Sequence, residues 1–73
     1  MATDEFEVAL AQTRERERDF LGLTEDQAVA LAARLGLQLR VLRSHDDAIT
    51  LDYRPRRMTV DVSTGTVSKA FAG

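Results

Sequence analysis

Arg54, Arg56 and Arg57 bring three guanidinium groups close around Pro55. A guanidinium is planar, stays charged and presents five donors in a fork, so it can bridge a carboxylate and nearby carbonyl oxygens or grip a phosphate. Upstream stand His45, Asp46 and Asp47, one imidazole beside two carboxylates. Adjacent carboxylates with a single imidazole make no recognisable metal-ligand spacing, and with no cysteine in the chain there is no thiolate to complete one. The lone histidine does not anchor nucleophilic catalysis either. That chemistry needs a nucleophile and an orienting acid at matching positions, and nothing marks Ser44 or Ser63 as activated. Phosphate or RNA binding by the arginines stays open as an alternative, although no glycine-rich cradle or interleaved aromatic accompanies them. The expectation is a non-enzyme with no catalytic residue, no metal and no cofactor.

The stretch that carries these groups lies between two alternating runs. Leu37, Leu39 and Val41 alternate with Gln38 and Arg40, which predicts a strand over Leu37 to Arg43; Met58, Val60 and Val62 alternate with Thr59 and Asp61, which predicts a second over Met58 to Ser63. Roughly fifteen residues separate them, too many for a hairpin turn, and a loop that long in a small domain is more often functional than a plain connector. A long connection also permits parallel pairing. Ser63-Thr64-Gly65-Thr66 reads as a tight turn with Gly65 at the positive-φ position. It leads to a final strand, Val67 to Phe71, whose Lys69 shares a nominal face with Val67 and Phe71, as an edge strand with a bent far end would.

Thr24-Glu25-Asp26-Gln27 is a capping box, and Ala28, Leu31, Ala32 and Leu35 form the buried stripe of the helix it opens, with Val29 at the edge. Gly36 is a natural left-handed stop. The small alanine face suits a sheet packed close beneath. Thr3 to Phe20 reads as a further helix, with Thr3 as N-cap, Asp4 and Glu5 in the first turn, and a narrow stripe of Phe6, Ala9, Leu10 and Thr13. Its second half, Arg14 to Asp19, alternates in sign. A continuous helix would set like charges at Arg14/Arg18 and Glu15/Asp19 against favourable pairs at Arg14/Glu17 and Glu15/Arg18, so it is marginal. A solvated or frayed extension is the plain reading, a partner-binding helix the alternative. Leu21-Gly22-Leu23 breaks the chain before the capping box.

The run Ile49-Thr50-Leu51-Asp52-Tyr53-Arg54-Pro55-Arg56-Arg57-Met58-Thr59-Val60 resembles the reactive loop and following strand of the potato inhibitor I family of serine protease inhibitors. It is more similar still to the related I78 inhibitors, whose pattern is Thr, apolar, acid, Tyr, Arg, Pro, any residue, Arg, then alternating apolar positions. The resemblance extends over about Leu23 to Gly73, including the Gly22-Leu23-Thr24-Glu25 helix start and the final glycine. It implies an α+β fold, with one main helix on a small three-stranded mixed sheet and an exposed loop between two parallel strands. The chain would divide into an N-terminal helical extension, 1–22, and an inhibitor-like domain, 23–73.

The resemblance also implies roles. Ile49, Thr50, Leu51, Asp52, Tyr53 and Arg54 would form the reactive loop, with Leu51 offered to the primary pocket and Leu51–Asp52 as the reactive bond. An apolar residue there suits subtilisin-like or chymotrypsin-like serine proteases. Arg57 would support the loop from behind, Pro55 would stiffen its far shoulder, and the Gly73 carboxylate would sit near Arg57. Thr59 occupies the place of a second supporting arginine in the plant inhibitors, so support would fall largely on Arg57, with Arg54 or Arg56 as candidate helpers. Many secreted members carry a disulfide, which this chain lacks. A non-inhibitory protein-interaction module on the same fold is the alternative function.

Composition sets the remaining bounds. Seventy-three residues make one small domain, whose core alone supplies on the order of 3–5 kcal/mol. The first residues are acidic, without the positive and apolar regions of a leader, and no run approaches the ~20 apolar residues of a membrane span. The sequence as written is therefore expected to be cytoplasmic, or secreted if a leader has been removed, with no membrane partner and a monomeric or weakly self-associating state. A net charge of −2 argues against general nucleic-acid binding.

Overall fold

A computed structural model of the chain describes residues 5–43 and 54–73. Three helices, α1 (Glu5–Arg14), α2 (Glu17–Phe20) and α3 (Glu25–Leu35), precede three strands, β1 (Gln38–Leu42), β2 (Arg57–Asp61) and β3 (Lys69–Ala72). The sheet order is β1-β2-β3, with β1 and β2 parallel and β2 and β3 antiparallel, so β2 is central and the fold is α+β with a mixed sheet.

α3 begins and ends where local chemistry dictates. The Gln27 amide donates to Thr24 Oγ1 at 3.2 Å while the Thr24 amide donates to Gln27 Oε1 at 3.0 Å, both halves of the capping box. Gly36 closes the helix at φ 70°, and the Leu37 amide reaches back to the Ala32 carbonyl at 2.8 Å. A side chain at that φ would strain the backbone, whereas glycine adopts it freely. The buried stripe falls as the spacing predicts: Ala28 and Ala32 are buried, and Leu31 and Leu35 are half-buried against the core.

Met58 and Val60 on one face of β2 meet Phe20, Ala28, Ala32, Val62 and Val67 to form that core. Leu39 and Val41, in register with Met58 and Val60, continue it on β1, and Ala70, opposite Val60, continues it on β3. Period-two alternation puts Arg57, Thr59 and Asp61 on the other face of β2.

Two sequence expectations need correction. The single helix over Thr3 to Phe20 is in fact two. At the break the Arg16 amide bonds the Thr13 carbonyl three residues back, and Arg16 itself has φ −96° and ψ −3°. The break gives up the like-charge pairs and the favourable pairs together, so charge does not decide it. The break redirects Phe20, which is 0% exposed, into the shared core. The Thr3 N-cap lies outside the described residues.

The last strand runs Lys69–Ala72 rather than Val67 to Phe71, and its phase is reversed, with Ala70 toward the core and Phe71 opposite Thr59. Val67 is buried before the strand begins. Its carbonyl accepts from the Gly22 amide and its amide donates to the Leu23 carbonyl, each at 2.8 Å, so its backbone pairs with the α2–α3 connection instead of with β2. Lys69 is thereby relieved of sharing a face with Val67. The turn before it is as expected, with Gly65 at φ 96°.

Candidate functional site

The site is the place where the chain re-enters the sheet at β2. Arg54-Pro55-Arg56-Arg57 forms a four-residue turn in which the Arg57 amide donates to the Arg54 carbonyl at 3.2 Å. Pro55 stands at the second position, where its fixed φ suits the turn. The Gln38 amide at the start of β1 donates to the Arg56 carbonyl at 2.8 Å, tying the turn to the neighbouring strand. A third contact comes from far away in sequence: Thr13 Oγ1 on α1 donates to the Pro55 carbonyl at 2.6 Å, with the Ala9 carbonyl 2.9 Å away on its other side. The one hydroxyl proton is within hydrogen-bond range of both carbonyls, and the Pro55 contact is the shorter.

Immediately after the turn, the outer face of β2 converges on Gly73. Arg57 Nε donates to the Gly73 oxygen at 3.2 Å and Thr59 Oγ1 donates to the same oxygen at 3.1 Å, while the Gly73 amide donates to the Arg57 carbonyl at 2.9 Å. Arg57 and Thr59 are two residues apart on a strand, so their side chains leave on the same face and reach one acceptor together. Gly73 is at φ 126°, a backbone conformation that disfavours any side chain. Thr59 is 1% exposed, and Arg57 is half-buried.

The strand that carries Gly73 is itself held. β3 is a sheet edge, and the Ala72 amide donates to Glu17 Oε2 on α2 at 3.0 Å, so the edge amide is not left open at that point. The other end of the loop leaves from the end of β1. There Leu42 is buried and its carbonyl accepts from the Val62 amide at 2.9 Å, and Arg43 pairs with Glu25 at 3.0 Å in an exposed ion pair of little energetic weight.

Of the residues singled out in the sequence, Arg57, Thr59 and Gly73 come together, and Pro55 and Arg54 belong to the turn beside them. Ile49, Thr50, Leu51, Asp52 and Tyr53 lie outside the described residues, as do Ser44, His45, Asp46 and Asp47. Arg56 faces a different way, lining an open groove of about 340 Å³ with Gln12, Thr13, Leu35 and Leu37. Among the described residues no group of three or more His, Cys, Asp or Glu side chains could hold a metal, and no helix is long and apolar enough to cross a membrane.

Sequence reasoning missed the part played by the N-terminal segment. Thr13 and Glu17 contact the two pieces of backbone that frame the site. The one available signal was a threonine placed in an otherwise apolar helical stripe, where a hydroxyl needs a partner once buried.

No family model matches the sequence, and no curated protein matches it. A solved structure described as the elastase inhibitor AFUEI is similar to this chain at a TM-score of 0.60 and 21% sequence identity, covering 94% of this chain and 100% of that one. At that identity the likeness is one of fold, and it takes in the N-terminal helices as well as the sheet.

Proposed function

We propose that this chain is a serine protease inhibitor that presents Ile49 to Arg54 as a substrate-like loop, with Leu51–Asp52 as the reactive bond. The observation that carries this reading is the convergence of Arg57 and Thr59 on the Gly73 oxygen, at the point where the loop segment joins the central strand. The loop motif read from the sequence and the fold likeness to an elastase inhibitor support it.

The mechanism follows from what a protease needs. Its serine hydroxyl attacks the Leu51 carbonyl carbon, the bond to the Asp52 nitrogen breaks, and that nitrogen leaves as an amine carrying the proton relayed by the protease histidine. In an ordinary substrate the amine diffuses away. Here Asp52 is followed within a few residues by the turn at Pro55 and by β2, which are bonded to β1, α1 and Gly73. A tethered amine stays close to the acyl-enzyme, so its return attack, which remakes the peptide bond and expels the serine, competes with hydrolysis. A loop ordered before binding also loses less entropy in the complex. Leu51 fits the apolar primary pocket of a subtilisin-like or chymotrypsin-like enzyme.

Titrating a subtilisin-like protease with the protein tests this. Stoichiometric loss of activity is expected, and Leu51→Lys should move preference to a trypsin-like enzyme. Rapid cleavage with no inhibition by the unaltered protein would overturn the proposal.

A further inference from the structure

Two side chains of the N-terminal segment reach the framework of the loop from the helical side. Thr13 meets the Pro55 carbonyl, and Glu17 meets the amide of Ala72, the residue next to Gly73. Thr13 is 1% exposed, in the last turn of α1 on the side that packs inward, and it is 42 residues from Pro55 in sequence. The second residue of a four-residue turn has its carbonyl outside the turn's own hydrogen bond, so the Pro55 oxygen needs an external donor if it is to be held. The flanking Arg54 and Arg56 carbonyls take backbone amides, and the Thr13 hydroxyl occupies the remaining position between them.

We infer that Thr13 is a positioning residue for the loop: its hydroxyl fixes the Pro55 turn and so holds the stretch entering β2, doing across non-covalent contacts what a cross-link would do in a chain with cysteines. The inference rests on the proposed inhibitor reading for its consequence, and on the Thr13–Pro55 geometry for its substance. Removing the hydroxyl while keeping the side chain's shape leaves a partly buried carbonyl without its donor, and the turn loosens first at that point.

The experiment compares four full-length proteins. Thr13→Val removes the hydroxyl, Thr13→Ala removes it with a smaller side chain in case the valine impairs folding, and Thr13→Ser restores it. Thr24→Ala, which breaks the α3 capping box far from the turn, serves as a control for general loss of stability. Amide hydrogen exchange over residues 48–57 is measured without protease, and cleavage at Leu51–Asp52 by a subtilisin-like enzyme is followed by mass spectrometry. Exchange and cleavage should each rise about tenfold in Thr13→Val and Thr13→Ala, return near the starting rate in Thr13→Ser, and change little in Thr24→Ala. Equal rises in Thr13→Val and Thr24→Ala would overturn the assignment, because the effect would then be ordinary destabilisation. Faster exchange in Thr13→Val with no inhibition by the unaltered protein would uphold the brace and sink the inhibitor reading.

Discussion

At Gly73 a single oxygen receives two side-chain donors, and the identity of each decides a different outcome. Arg57→Ala removes a charged donor at the junction, so cleavage at Leu51–Asp52 should accelerate by about tenfold or more, whereas Arg56→Ala, on the groove side, should change it little. Equal effects, read in the same cleavage assay, would contradict the roles assigned. Thr59→Val keeps the shape and loses the hydroxyl; a cost of about 1–2 kcal/mol in urea unfolding is expected, because among the described residues Arg57 is then the one side-chain donor to the Gly73 oxygen. Ser63 gives the opposite case. Its hydroxyl is buried with no hydrogen-bond partner among the described residues, so Ser63→Ala should be neutral or stabilise by up to about 1 kcal/mol. The nearness of Arg57 to Gly73 was legible from the motif. That a threonine would share the arginine's acceptor was not, since an alternating strand pattern gives the face of residue 59 but not what lies against that face.

The elements divide between those fixed locally and those fixed by distant partners. The start and stop of α3 were readable because the capping box and the Gly36 stop are bonds among neighbours in sequence. Thr24→Ala should therefore cost about 1 kcal/mol, measurable as a drop in melting temperature. The α1–α2 break was not readable, because the like and unlike charge pairs from Arg14 to Asp19 nearly cancel. What decides it is the burial of Phe20 and Thr13 against elements far along the chain. The displaced phase of β3 has a similar origin: Val67 fits the alternation as well as any strand residue, but its amide and carbonyl are claimed by Leu23 and Gly22. The sequence pattern counts side chains, and here the choice was made by backbone groups.

For the molecule as a whole, the question is how a cysteine-free chain of 73 residues stays folded. Its core is small, and Phe20 is among its largest fully buried side chains. Phe20→Ala should cost about 3–5 kcal/mol, comparable to the total stability such a core supplies, so the variant is expected to be largely unfolded by circular dichroism. A chain beginning at Leu23 should fail for the same reason, and a cooperative melt from that truncated form would contradict the place given to Phe20. The same wiring bears on what happens after a single cut at Leu51–Asp52. Everything upstream of that bond comprises the helices and β1; everything downstream comprises β2 and β3. The two pieces are joined by the parallel β1–β2 ladder, the Thr13–Pro55 and Glu17–Ala72 bonds and the two Val67 bonds. A nicked protein should accordingly migrate as one particle on a native gel and fall into two peptides only in denaturant, so that a single scission leaves the fold assembled.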